Sequence, residues 1–334
     1  DLRYVAVPPD NSEGVRTALR AGDVLISITA DIGIVGLVTE AVELPAYINQ
    51  HIALVRLDER EVNSRYVAYF LAAAAAQRRF KSMTDAGAKA GMNLAGVRDV
   101  LTALPPSTDE QAAIADALTD ADALIDSLEQ LLTKKRKIKQ GAMQELLTGK
   151  RRLPGFTANW DTKRIGDLLS IRHGRSQKTV ECDGGDFPIL ATGGQIGWAS
   201  AYLHSGPSVL IGRKGTIDQP RYMDSPFWSV DTLFYSEVFR PNVAKFLYYR
   251  FCLIDWMRHN EASGVPSLGA TVIESIEITC PDAIEQEAIA KALTDMDVEV
   301  SALESRLTKA RALKQAMAQA LLTGRIRLMP PQAA

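Results

Sequence analysis

Cysteine is scarce in this chain of 334 residues. It has three, Cys182, Cys252 and Cys280, with no CxxC pair and no histidine at zinc-ligand spacing. The expectation is ordinary reduced thiols, neither a disulfide framework nor a structural zinc. Long apolar runs are lacking too: no stretch reaches 18 residues, so no membrane span is expected, although 46% apolar residues suffice for substantial cores. No basic and apolar leader stands at Asp1, so no signal peptide is expected and the chain reads as soluble and cytoplasmic. An excess of one charge sign is also missing. The formal charge of −2 leaves a polyanionic partner open, because a binding face needs only a local patch.

Catalytic signatures are absent as well. The sequence holds no GxxxxGK followed by Ser or Thr, no GxGxxG after a strand, no GxSxG and no HExxH. The Asn/Asp-Pro-Pro-aromatic signature of amino-methyltransferases is missing. His51, His173, His204 and His259 lie far apart in sequence. "PDAIEQE" (281–287) offers nuclease-like carboxylates without a suitably spaced lysine, and Asp282 is better explained as a helix cap. "ATGGQIGW" (191–198) reads as a hairpin. The expectation is a non-catalytic chain with no metal site and no cofactor of its own.

What is present is a long repeat. Residues 110–153 and 285–328 align without a gap and agree at 25 of 44 positions, from "EQAAIADALTDAD" and "EQEAIAKALTDMD" to "LLTGKRRL" and "LLTGRIRL". Apolar or small residues recur at helical spacing in both copies. The first runs through Ile114, Leu118, Ala121, Ile125, Leu128, Leu132, Ile138, Ala142 and Leu146. The second runs through Ile289, Leu293, Met296, Val300, Leu303, Leu307, Ala310, Leu313, Met317 and Leu321. Each copy is expected to be one helix of about 39 residues, roughly 58 Å long. Ser107 with Glu110, and Asp282 with Glu285, have capping-box spacing, and Gly149 and Gly324 stand where a left-handed residue would end each helix.

The charges on these helices are sorted. Residues 107–129 carry seven acids and no base, whereas 134–152 carry eight bases and the single acid Glu145. The second copy is acidic from Asp282 to Glu304 apart from Lys291, and basic from Arg306 to Arg327. A helix dipole favours such sorting only within the end turns, whereas here it lasts five or six turns. Antiparallel pairing would set each acidic half against the other's basic half, and is the arrangement expected.

Before each helix lies a mixed segment. "GDVLISITADIGIVGLV" (22–38) parallels "PSVLIGRKGTIDQPRYM" (207–223), and "YINQHIALVRL" (47–57) stands opposite "WSVDTLFYSEV" (228–238), all read as strands and turns. Helices over 64–80 and 244–259, Gly-rich loops over 87–94 and 263–270, and a last strand closed by Pro105 or Pro281 complete each segment. Trp160 precedes Val209 by 49 residues, but Val24, the counterpart of Val209, has only 23 residues before it. The first segment is therefore expected to be incomplete at its start.

Polar and basic residues on the expected loops are the candidate binding groups. "IRHGRSQK" supplies Arg172, His173, Arg175, Gln177 and Lys178, and "GRKGT" supplies Arg213, Lys214 and Thr216. Gln195, Thr29, Gln50, Lys89 and Asn93 are further candidates. Arg pairs bidentately with guanine and Gln with adenine, while Lys and Thr serve bases or phosphates.

These features together resemble the specificity subunit of type I restriction-modification systems over nearly the whole length. The resemblance is carried by "GDVLIS" and "IGIVG", by "INQHIALVRL", by "SRYVAYFL", by the Gly-rich loops before Leu94 and Leu268, and above all by the twice-occurring EQxAIAxALTDxD and LLTG. It implies an α+β fold with two related α/β target-recognition domains separated by two long helices paired as an antiparallel coiled coil. The corresponding boundaries are 1–106 and 150–281 for the domains, 107–149 and 282–325 for the helices, and 326–334 for a tail. It implies that the chain binds double-stranded DNA and docks methyltransferase and restriction subunits. Glu110, Gln111, Ile114, Leu118, Glu285, Gln286, Ile289 and Leu293 are the candidates for docking or helix pairing. S-adenosylmethionine, ATP and Mg are then expected on the partners. On this reading the helices are a ruler between half-sites, and a turn inserted near Leu147 should alter the spacer alone. A coiled-coil adaptor without sequence-specific DNA binding, or a self-contained nuclease or methyltransferase, are the competing classes.

Overall fold

In the computed structural model, residues 12–82 and 92–328 are described. The chain divides into two compact units, Asp1–Gln130 with Ser305–Ala334, and Leu131–Glu304. Each unit contains the N-terminal half of one long helix and the C-terminal half of the other.

Each unit has its own sheet, built on one plan. In the first unit, Val24–Ser27 is flanked by Val35–Leu37 and Ile52–Val55, with Leu25 facing Gly36 and Ile26 facing Ala53. In the second, Ser208–Gly212 is flanked by Arg221–Met223 and Leu233–Val238, with Leu210 facing Arg221 and Ile211 facing Phe234. The registers coincide when the two sequences are superposed, as a side-chain period of two requires if the same face is to stay buried. The second unit adds Leu169–His173 beyond Leu233–Val238, a separate sheet of Trp228–Ser229, Phe187–Ala191 and Gly194–Ala199, and the pair Glu277–Cys280 with Asp161–Arg164.

The long helices span Thr108–Leu146 and Ala283–Leu322, close to the expected 39 residues each. Gly149 and Gly324 are left-handed, at φ 71° and 70°, where only glycine avoids a clash of Cβ with the backbone. In the first unit Glu129 pairs with Arg311, Asp122 with Lys314 and Glu110 with Arg327. In the second, Lys135 pairs with Glu299, Lys139 with Asp297 and Arg152 with Glu285. As numbers fall along one helix they rise along the other, so within each unit the halves run antiparallel, as the charges require.

Four local expectations need correction. Each capping box is half formed: Asp282 accepts the N–H of Glu285 at 2.9 Å and Ser107 that of Asp109 at 3.2 Å, but the glutamates turn to arginines instead. The single helices over 64–80 and 244–259 are each broken. Ser64–Ala72 and Ala74–Ser82 meet at extended Ala73, and Ala244–Phe251 is followed by a one-turn helix at Trp256–His259. In the apolar stripe, Ile138 and Leu313 are exposed, because the helix partner lies on the side of Leu128, Leu132, Leu303 and Leu307. Finally, the strand expected before Pro105 does not form. Its counterpart Glu277–Cys280 has Asp161–Arg164 to pair with, and no described residue of the first unit plays that part.

Candidate nucleic-acid interface

In the second unit the register brings the ends of three strands together: His173 faces Phe234 and Gly212 faces Leu233. Loops 174–178, 213–216 and 230–232 therefore leave the sheet along one edge. They are stitched by backbone bonds. Arg213 donates its N–H to the Thr232 carbonyl (2.9 Å), Leu268 donates to the Arg213 carbonyl (3.0 Å), Gly215 to Pro266 (2.9 Å) and Arg175 to Ser229 (2.7 Å). The hairpin turn joins through Thr192, whose hydroxyl donates to the Thr232 carbonyl at 2.5 Å, while Arg221 holds the carbonyls of Ala191 and Thr192. Two glycines permit this approach: a Cβ on Gly212 would stand 2.2 Å from the Thr216 carbonyl, and one on Gly174 would stand 2.0 Å from that of Val230.

A rigid ledge of backbone results, with polar side chains projecting from it. Arg175, Lys178 and Lys214 are exposed, and none has an ion-pair partner among the described residues. Arg213 is half-buried, its guanidinium donating to the Asp231 carbonyl at 3.2 Å. Thr216 and Gln177 are half-buried in the same loops, and the Gln177 carbonyl accepts from Val180 and Glu181. Gln195 is exposed on Gly194–Ala199 near Ile196 and Trp198. Two candidates are otherwise engaged. Arg172 is ion-paired with Glu237 at 2.8 Å, which raises its pKa, and His173 sets its ring edge-on to Phe234 with centroids 4.9 Å apart.

The first unit repeats the ledge. Ile28 donates to the His51 carbonyl (2.9 Å) as Arg213 does to Thr232, and Met92 donates to Ile28 (2.9 Å) as Leu268 does to Arg213. Thr29 and Gln50 project from it, joined by His51, whose Nδ1 lies 2.7 Å from the Thr29 hydroxyl and whose Nε2 lies 3.4 Å from the Gln50 amide. Asn93 stands at the start of Leu94–Arg98, where its side-chain oxygen accepts the N–H of Gly96 at 2.8 Å and caps the helix. Lys89 lies outside the described residues. Sequence reading missed His51, Thr192, Asp231 and Thr232. His51 looked isolated because its partner Thr29 lies 22 residues away, although superposing the repeats would have aligned it with Thr232.

The eight docking or pairing candidates are all buried, and the polar contacts of the four glutamates and glutamines run inward. Glu285 receives both Arg152 bonds at 2.5–2.6 Å and the indole N–H of Trp160 at 3.1 Å, while Glu110 receives both bonds of Arg327. Arg327 holds the Glu110 carboxyl below its ordinary pKa. Gln111 accepts the N–H of Asn63 (2.8 Å) and donates to the Pro105 carbonyl (2.9 Å); Gln286 does the same with Val243 (2.9 Å) and Pro281 (3.0 Å). The repeated Glu-Gln thus fastens one long helix both to the end of the other and to its own domain.

Comparison with known proteins agrees with this duplicated plan. Residues 16–140 and 157–310 match the family model described as the type I restriction modification DNA specificity domain. The fold is similar to that of the type I restriction-modification S subunit from M. genitalium, with a TM-score of 0.69 and 15% identity over 90% of this chain and 83% of that one. It is also similar to a chain from a structure on complex assembly and conformational transition of the type I R-M system, with a TM-score of 0.53 and 16% identity over 92% and 83%. With the family's domain matched on both repeats, this chain belongs to the type I restriction-modification DNA specificity family.

Proposed function

We propose that the chain reads a split, asymmetric double-stranded DNA target, one half through the ledge of each unit. It also docks methyltransferase and restriction subunits, which carry the chemistry together with S-adenosylmethionine, ATP and Mg, and is itself non-catalytic. The observation that carries this reading is one backbone frame occurring twice with different side chains on it. The first frame bears Thr29, Gln50 and His51; the second bears Lys214, Asp231 and Thr232 at the corresponding positions. Two readers of one shape with unlike donors and acceptors suit two unlike half-sites, since base edges are distinguished by their hydrogen-bond pattern in the major groove. Arg175, Lys178 and Lys214 supply positive charge for phosphates beside the second reader.

Docking is assigned to exposed apolar positions on the long helices, taken in each unit by itself. Ile138 and Leu313 occupy equivalent positions of the repeat and are 47% and 60% exposed, and Leu124 and Leu131 precede Ile138 by fourteen and seven residues. Residues a heptad apart drift by only about 20° around a helix, so Leu131 and Ile138, both in the second unit, share one stripe.

The test is co-expression with the methyltransferase subunit encoded beside the chain, followed by mapping of methylated bases. A two-part motif with a fixed spacer is expected. A continuous motif or none would favour the adaptor reading, and methylation by the chain alone would favour an enzyme.

A further inference from the structure

The two reading ledges carry unequal charge. Loops 174–178 and 213–216 of the second unit bear Arg175, Lys178, Arg213 and Lys214, whereas loops 28–34 and 48–51 of the first hold no lysine or arginine and one exposed acid, Asp31. Phosphate contacts supply much of a protein's affinity for duplex DNA, so a reader without cations needs them from a neighbouring element.

Ala74–Ser82 is such an element. Phe80 is fully buried beneath Gly33, where a Cβ would stand 2.9 Å from the Phe80 side chain. Gln77 grips the same loop, its amide donating to the Gly33 carbonyl at 2.7 Å and to that of Leu71 at 2.8 Å. One face of the helix is thus clamped to loop 28–34, with Ala76 and Phe80 turned inward at i and i+4. Arg78 and Arg79 fall outside that face. Both are exposed, and neither has an ion-pair partner among the described residues.

The corresponding place in the second unit shows which way this face looks. Trp256 is buried in one core with Ile211, Phe251 and Leu268, as Phe80 is with their counterparts Ile26, Leu71 and Met92. Met257 and Arg258, which follow Trp256, are exposed, so the face is open to solvent in both units. There, however, Arg258 is ion-paired with Asp255 at 2.9 Å. An unpaired basic doublet stands beside the reader that lacks cations, and a paired arginine beside the reader that has them.

We propose that Arg78 and Arg79 bind the phosphate backbone of duplex DNA beside the first reader, fixing its position on the half-site without reading bases. The inference deepens the DNA-reading assignment and rests on it. A major groove is about 12 Å wide, so a ledge seated in it has a phosphate strand on either side, within reach of long side chains on an adjoining helix. Thr29 and Gln50 are then left to the base edges, since contacts to phosphate position a protein and carry no sequence information.

The test uses the full chain assembled with its methyltransferase subunit, and duplex DNA carrying the motif mapped for the wild type. With Arg78→Gln and Arg79→Gln combined, the slope of log K against log salt should fall by about 2, so that raising salt from about 50 to about 200 mM costs the wild type roughly tenfold more affinity than the variant. The methylated motif should stay the same in both halves. Arg78→Lys with Arg79→Lys should keep the wild-type slope, because a phosphate contact needs the charge above all. An unaltered slope in the glutamine variant, with the wild type binding its two-part motif, would overturn the proposal and leave the DNA-reading assignment standing. A lowered Tm with that unaltered slope would reduce the pair to partners of the helix dipole. Relaxed base preference in one half-site would replace phosphate contact with base reading, and loss of the methyltransferase subunit from the complex would make the face a protein-docking surface. A wild-type complex with no salt-dependent binding to a two-part motif would overturn the assignment on which the proposal rests.

Discussion

Glu110 shows how one buried acid makes the helix pair sensitive to pH. It is 1% exposed, and the Arg327 guanidinium holds its folded pKa below the ordinary glutamate value of about 4.3. A depressed folded pKa contributes stability that is fully present above the unfolded value and is lost as pH falls through the folded one. Wild type should therefore exceed Glu110→Gln in Tm by on the order of a few degrees at pH 7, with the gap shrinking steadily below about pH 4.3. An equal gap at pH 7 and pH 3, read by thermal melts, would refute the assignment. Side chains on the ledges divide differently. Lys178→Ala should weaken binding to every DNA sequence alike and lower the slope of log K against log salt by about 1, whereas Gln50→Ala should relax the base preference of one half-site only. Binding titrations at several salt concentrations and methylation mapping separate the two outcomes. Two of the candidates make contacts that a linear pattern does not contain: Arg172 pairs with Glu237 across a strand pair and Asn93 caps a helix.

Elements were more legible than residues, because their signals are repeated along the chain. The sorted acids and bases foretold antiparallel halves, and the apolar period foretold each helix to within a few residues. A deeper regularity appears only in three dimensions. In the first unit the Tyr69 hydroxyl donates to Asp122 at 2.9 Å, and Asp122 also pairs with Lys314 on the other helix; in the second, Tyr249 donates to Asp297 at 2.6 Å, which also pairs with Lys139. A short domain helix is thus tied to both long helices by one carboxylate. Burial, with the neighbouring aspartate, pushes both tyrosine pKa values up, so the phenols stay protonated donors. The exposed positions of the helices have a different consequence. Ile138→Asp and Leu313→Asp, each outside a core and so costing within about 0.5 kcal/mol of stability, should reduce recovery of the methyltransferase subunit on affinity purification, and the double variant should abolish it. Unchanged recovery with the double variant would move docking to another surface.

For the whole molecule, duplication was readable from the first aligned segment, while the missing strand before Pro105 was not, since a strand exists only with a partner to bond. The same consideration changes how a helix ruler is to be tested. An insertion near Leu147 would fall in the core of the second unit, where Leu147 is fully buried and its carbonyl accepts from Arg250, so misfolding would obscure any change of spacing. Lengthening one helix alone would also break the ion pairs between copies. The suitable variant inserts seven residues in each helix, between Gln130 and Leu131 and between Glu304 and Ser305, where the compact units divide. Seven residues keep the buried stripe within about 20° of its original facing and add about 10 Å, or roughly three base pairs of B-DNA at 3.4 Å each. If the paired helices set the distance between half-sites, mapped methylation should show both half-sites unchanged and the spacer longer by about three base pairs. A variant of native helicity that methylates the original spacing would show that the distance is set elsewhere.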